Sequence, residues 1–191
     1  MYIVFEGIDT CGKSTQIALL KQRFPEIVTT KEPGGTPFGQ KARNILLEGS
    51  VRSKRAELLL FLADRAEHYE EVVRPNRDKL VISDRGFVSG IAYAMANGDF
   101  DFDTLVSLNR FALYDTLPDR IVLFTIDEAT LRRRLGDKRL DGIEARGIAY
   151  LMRVQEQMQR TVQRLDIPHL FIDASMDVEE IHRIITEYIR H

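Results

Sequence analysis

The period of the hydrophobic pattern changes repeatedly along this chain, and each change marks an element. Short apolar runs recur at Tyr2-Ile3-Val4-Phe5, Ile27-Val28-Thr29-Thr30, Leu80-Val81-Ile82-Ser83, 120–126 and 169–173. Runs of this length, rich in β-branched residues, predict strands of a largely buried parallel sheet. Between them the spacing turns helical. After Ser14, residues Ile17, Leu19, Leu20 and Phe24 recur with the period of a helix. Further helices are predicted over about 38–47, 53–73, 87–96, 104–114 and 145–165, with others opening at Asp127-Glu128 and behind the cap residue Asp177. The stretch Leu58-Leu59-Leu60-Phe61-Leu62-Ala63 is apolar on nearly all sides, which predicts a buried helix. Pro33, Gly34 and Gly35 mark a tight turn after the second strand. Five strands interleaved with helices predict a doubly wound α/β fold, a parallel sheet with helices on both faces. Such sheets bind ligands at the carboxyl ends of their strands. Residues 7–14, 31–36, 84–85 and 127 are therefore expected on one rim.

The first of these segments carries the sharpest chemistry. Gly7-Ile8-Asp9-Thr10-Cys11-Gly12-Lys13-Ser14 has the spacing of a P-loop, between a predicted strand and a predicted helix. In that context the backbone N–H groups of the loop and of Thr15 converge on anionic oxygens at a helix N-terminus. Lys13 is placed to reach the β- and γ-phosphates of ATP, and the Ser14 hydroxyl to ligate Mg²⁺. The fold expectation sharpens accordingly to a three-layer P-loop NTPase. The cysteine inside the loop is unusual. Its thiol is expected to be activated by the helix N-terminus and covered when ATP binds.

Two readings stand for each remaining rim residue. Asp84, at the end of the third strand, is either a Mg²⁺-holding acid or the N-cap of the next helix. Arg85 is either a phosphate-binding cation or half of a surface ion pair. Phe61 and Arg65 lie four apart on one helix face, where they can stack on a base and bond its edge. Phe61 also suits a core. A buried guanidinium, however, needs a polar partner. The run Arg132-Arg133-Arg134, Lys138 and Arg139 is either a solvated face or a basic lid, over about 133–145, that closes on a triphosphate. The four histidines lack metal-ligand spacing and receive no role.

Composition removes other classes. The chain of 191 residues is expected to form one domain, 1–191, with a sizeable core. Its net charge of -2 gives no overall pull toward nucleic acid or an anionic membrane, so an anion site has to be a local cluster. One cysteine excludes an internal disulfide, and with no signal-like or membrane-length apolar run this predicts a cytoplasmic protein. The guanine-reading Asn-Lys-x-Asp motif of common GTPases is absent from the sequence.

Taken together the motifs resemble the thymidylate kinase family of bacterial type. The matching segments are Phe5-Glu6-Gly7-Ile8-Asp9 with Gly12-Lys13-Ser14-Thr15-Gln16, Glu32-Pro33-Gly34-Gly35-Thr36, Glu57-Leu58-Leu59-Leu60-Phe61, Ala63-Asp64-Arg65, Asp84-Arg85 with Ser89 and Ala92-Tyr93, and Ile172-Asp173-Ala174. The resemblance implies Mg²⁺-dependent transfer of the γ-phosphoryl of ATP to dTMP, giving dTDP for dTTP synthesis, in a homodimer. It implies that Phe61 stacks on thymine, Arg65 bonds its carbonyl edge, Asp9 binds the 3′-hydroxyl and Tyr93 crowds the 2′ position. Glu32, Pro33 and Ser89 fall in its acceptor pocket, and Arg85 with Arg43 holds the acceptor phosphate. Thr10 stands where one branch carries an arginine, so this chain looks like the branch with a lid arginine, for which Arg133 and Arg134 are the candidates. Lys31 replaces a usual arginine, Gly86 a usual aromatic or histidine, and Gly142 a usual lid arginine.

Overall fold

The computed structural model describes residues 1–98, 100–136 and 147–190. Five strands form one parallel sheet: β1 (Tyr2–Glu6), β2 (Val28–Lys31), β3 (Val81–Asp84), β4 (Arg120–Thr125) and β5 (His169–Asp173), in the order β2-β3-β1-β4-β5. The central strands are the near-continuous apolar runs, because helices cover both their faces. Every residue of β1 is buried, whereas β2 at one edge alternates and β5 at the other is mostly exposed. The order reverses at β1, whose neighbours are β3 on one side and β4 on the other. That reversal opens a crevice beyond the carboxyl end of β1.

The helices are α1 (Lys13–Arg23), α2 (Pro37–Leu47), α3 (Lys54–His68), α4 (Phe87–Ala96), α5 (Phe102–Ala112), α6 (Glu128–Leu135), α7 (Ile148–Arg164) and α8 (Val178–Arg190). They pack in two groups, α1 against α8, and α3 with α4, α5 and α7. Most begin with a local cap. Thr36, Ser53, Asp101 and Asp127 each accept an N–H from the first turn of α2, α3, α5 and α6, and Asp177 does so for α8. Two helices that open on the crevice do not. Gly12 and Gly86 precede α1 and α4 and lend no side-chain cap, so the orphan N–H groups of α1 stay available to a ligand.

Three sequence expectations need correction. The helix expected over 53–73 is α-helical only to His68. It continues as a π turn over Tyr69–Val73 and a 3₁₀ turn over Arg74–Asn76. The wider turn keeps both Tyr69 and Val73 against the core, and Pro75, which has no N–H to donate, sits within the closing 3₁₀ turn. Nor is the centre of α3 buried all round. Leu58 and Leu62 face the core, but Leu59 is 60% exposed and Ala63 is also on the outside. Finally, α5 starts at Phe102, two residues earlier than its periodicity suggested, because Asp101 caps it. Most of the expected lid, and residues 145–146 at the start of the helix expected over 145–165, lie outside the described residues. Among those residues no helix is long and apolar enough to cross a membrane.

Candidate active site

The register of β1 and β3 pairs Phe5 with Asp84, so the loop after one strand and the Asp84-Arg85 pair after the other start side by side. The loop turns at Gly7 (φ 145°), where a Cβ would lie 2.7 Å from Cys11 Sγ and 2.8 Å from the Phe124 carbonyl oxygen. Only glycine fits there. Lys13 opens α1 with its ammonium folded onto the loop, donating to the carbonyls of Gly7 (3.0 Å) and Ile8 (3.1 Å) and lying 3.8 Å from Asp84 Oδ1. Ser14 Oγ donates to Asp84 Oδ2 at 2.9 Å. This removes the N-cap reading of Asp84, since Gly86 holds that position before α4. Asp84 instead faces the hydroxyl beside the loop. A hydroxyl and a carboxylate side by side at a phosphate cradle are the hard oxygen donors that suit Mg²⁺.

Arg85 turns back across the same loop. Its backbone is left-handed (φ 69°), and Nη1 donates to Gly7 O at 2.6 Å and to Ser89 Oγ at 3.2 Å, while Nη2 donates to Asp9 Oδ1 at 2.8 Å. Burial works against its charge, but facing Tyr93 and the carboxylates of Asp9 and Asp84 the guanidinium pKa lies above its ordinary value. It is a fixed cation at the centre of the rim.

Two cavities meet there. One is lined by Asp9, Thr10, Gly12, Lys13, Ser14, Thr15, Lys31 and Asp84. The other is lined by Pro33, Phe61, Arg65, Ser89, Gly90 and Tyr93, with Leu46 and Leu47 from α2. Asp9, Glu32, Arg43 and Arg85 line both. Arg43 also donates to Pro33 O at 3.3 Å. A third cavity lies on the far side of the loop, bounded by Thr10, Thr15, Phe124, Arg134, Ala174 and Met176.

The polar partner that Arg65 requires is present. Its Nε donates to Glu32 Oε2 at 2.8 Å and its Nη1 to Asn109 Oδ1 at 2.6 Å. Glu32 is shared, since Oε1 lies 2.9 Å from His68 Nδ1, and His68 Nε2 lies 2.7 Å from Thr30 Oγ1. Burial alone would raise the Glu32 pKa, but Arg65 and His68 hold it below the ordinary carboxylate value. Gly90 leaves room for the guanidinium, since a Cβ there would sit 3.3 Å from Nη1 and Nη2. Glu32 thus reaches the cavity wall chiefly as the holder of Arg65. Asn109 and His68 carried no assignment from the sequence. The available signal was a polar residue on each buried stripe, Asn109 between Leu105 and Ala112, and His68 one turn after Arg65.

The two arginine candidates part ways. Arg134 donates to Thr10 O at 3.1 Å and Ala174 O at 2.6 Å, joining the loop to the turn after β5, whereas Arg133 reaches Thr130 Oγ1 at 3.3 Å on its own helix. Arg132 pairs with Glu128 at 2.8 Å. Cys11 is 1% exposed, its Sγ 3.6 Å from Lys13 Nζ. The thiol is therefore covered by the protein itself, not left for ATP to cover.

A sequence model of the thymidylate kinase family matches residues 5–185. A thymidylate kinase from Sulfurovum sp. is 68% identical over the whole of both chains. The chain belongs to the thymidylate kinase family. A thymidylate kinase from Aliarcobacter butzleri is 49% identical over 99% of this chain and 98% of its own. The crystal structure of thymidylate kinase from Ehrlichia chaffeensis superposes with a TM-score of 0.78 at 27% identity, covering 100% of this chain and 98% of that one. In this family member, then, the P-loop rim and the cavity around Phe61 and Arg65 are parts of one kinase fold.

One buried acid near the site gives a pH signature. Asp64 Oδ1 accepts the Gly34 N–H at 2.9 Å, and burial, with Glu32 nearby, pushes its pKa from 3.8 up to about 6. Between these values the folded chain holds a proton that the unfolded chain has released, so this group's stabilisation is complete below the lower value and lost as pH rises through about 6. Asp64→Asn should therefore gain stability relative to the parent by about 2–3 kcal/mol between pH 4 and 7. Urea midpoints measured across that range check this, and a constant difference between the two proteins contradicts it.

Proposed function

We propose that the residues assembled on this rim carry out the family's reaction, transfer of the γ-phosphoryl of ATP to dTMP to give dTDP and ADP, as a step of dTTP synthesis. The chain is a nucleoside monophosphate kinase, and one observation supports the assignment of its residues. The phosphate cavity and the cavity around Phe61 share Arg85, Arg43, Asp9 and Glu32, so two anions entering from opposite sides would meet on two arginines. On this reading residues 7–15 receive ATP, and Arg134 borders the donor-side cavity. Phe61 stacks on thymine, Arg65 bonds its carbonyl edge, Asp9 takes the sugar hydroxyl and Tyr93 narrows the pocket against ribose. Arg85 and Arg43 hold the acceptor phosphate. Its attacking oxygen is already anionic, so positioning and charge stabilisation suffice without a strong base. Lys13 would swing from the Gly7 and Ile8 carbonyls to the phosphoryl oxygens. Ser14 and Asp84 would hold Mg²⁺, which neutralises phosphate charge when bound. Arg133, at the foot of the lid segment, remains the other candidate for the transition-state charge.

The test is an ADP-release assay with ATP and Mg²⁺, offering dTMP, dUMP, dCMP, dGMP, AMP and thymidine in turn. Turnover with dTMP is expected, with kcat/KM falling about 10²-fold in Arg65→Ala, the loss of charge-assisted bonds to the base. Equal turnover with dCMP, or an Arg65→Ala variant as active as the parent, contradicts the pocket assignment. Release of ADP without any acceptor instead favours a P-loop switch.

The same reading includes a cytoplasmic chain working as one domain over 1–191 and pairing with a second copy. Phe111 on α5 is 83% exposed and Leu59 on the neighbouring α3 is 60% exposed, large apolar groups that a partner copy would cover. Sedimentation of the parent should give twice the chain mass and Phe111→Glu a monomer. A monomeric parent, or an unaffected variant, rejects this seam.

A further inference from the structure

Glu6 ends β1 with its carboxylate fully buried, and the reaction as described gives it no work. Burying a carboxylate is costly unless its oxygens are met. Both are met by the first turn of α4: Oε1 accepts the Val88 N–H at 3.1 Å, and Oε2 accepts the Ser89 hydroxyl in a short hydrogen bond. Glu6 therefore caps α4 from a neighbouring strand, an anion at a helix N-terminus. The helix has no cap of its own, and there is little space for one, since a Cβ at Gly86 would lie 3.0 Å from Val4 Cγ1 and 3.4 Å from Glu6 Oε1.

The cap has a second end. Ser89 has a single hydroxyl proton, and it is given to Glu6, so the oxygen turns its lone pairs to Arg85, whose Nη1 donates to it at 3.2 Å. The result is a directed chain from guanidinium to hydroxyl to carboxylate. With Gly7 O and Asp9 it leaves the Arg85 head one orientation, despite a left-handed backbone that costs energy to hold.

We infer that Glu6 is a positioning residue for the acceptor. Through the Ser89 hydroxyl and the first turn of α4 it fixes the Arg85 guanidinium in the orientation that grips the phosphate of the nucleoside monophosphate. This rests on the assignment of Arg85 to the acceptor phosphate. The charge matters beyond the shape. A glutamine at position 6 turns an amide toward Ser89, donates to the hydroxyl oxygen and takes away the acceptor that orders the chain.

Steady-state kinetics on the full chain test this with Glu6→Gln, Ser89→Ala, the double variant and Arg85→Ala. Glu6→Gln and Ser89→Ala should each raise KM for dTMP about tenfold, with KM for ATP within about twofold of the parent. The double variant should be no worse than the more affected single one, because both act through one chain. Equal changes in both KM values, multiplying effects in the double variant, or a lowered Tm with unchanged kinetics overturn the inference. Ser89→Ala keeps the Val88 bond to the carboxylate and so tests the relay even where Glu6→Gln does not fold. If Arg85→Ala raises KM for dTMP and the other variants do not, the inference alone fails. If Arg85→Ala leaves that KM unchanged, the acceptor-phosphate assignment fails with it.

Discussion

The parallel pairing of β1 with β3 is the constraint on which the site depends. Because Phe5 and Asp84 are register partners, the loop that follows one strand and the Asp-Arg pair that follows the other share a single crevice. Each then uses what the other lacks. The loop offers carbonyls and an open helix N-terminus. Asp84 takes the Ser14 hydroxyl, and Arg85 bonds the Gly7 carbonyl and the Asp9 carboxylate. Shifting the register by one residue would face each side chain to the other side of the sheet and dissolve the arrangement.

A second theme is how charges are kept inside the fold. Glu32, Arg65 and His68 are all buried, as is Glu6, and single charges in such places are strongly disfavoured. Each has polar partners in the fold. Glu32 divides its two oxygens between Arg65 and His68, Asn109 takes another donor of Arg65, and Glu6 divides its oxygens between an N–H and a hydroxyl. Networks of this kind are rigid, because releasing any member leaves another unpaired. A rigid Arg65 and a rigid Arg85 bracket the cavity around Phe61. That is the property a pocket needs to read a base at one end and a phosphate at the other.

The sequence made legible what is local. The loop spacing, the turn at 33–35, the helix start at 127, the capping residue at 177 and the apolar runs of β1, β3 and β4 all express themselves within a few residues. The requirement that Arg65 have a polar partner was also readable, from the cost of burying a guanidinium. The partner's identity was not. Asn109 lies 44 residues from Arg65 and Ser89 lies 83 from Glu6, separations that only the folded topology closes. The π turn after His68 and the exposure of Leu59 escaped for a related reason. Periodicity reports which residues are apolar, but the neighbours decide which of them find cover. Arg133 and Arg134 are adjacent and alike in sequence, yet the helix angle sends one to the loop and the other along its own helix.

On the proposed function, donor and acceptor phosphates meet on Arg85, where the two cavities join. This meeting is tested most directly with a bisubstrate analogue, adenosine and thymidine joined 5′ to 5′ by a polyphosphate long enough to span both cavities. Inhibition should be competitive against both ATP and dTMP and weakened at least tenfold in Arg85→Ala. Competition against only one substrate, or full affinity without Arg85, would contradict it.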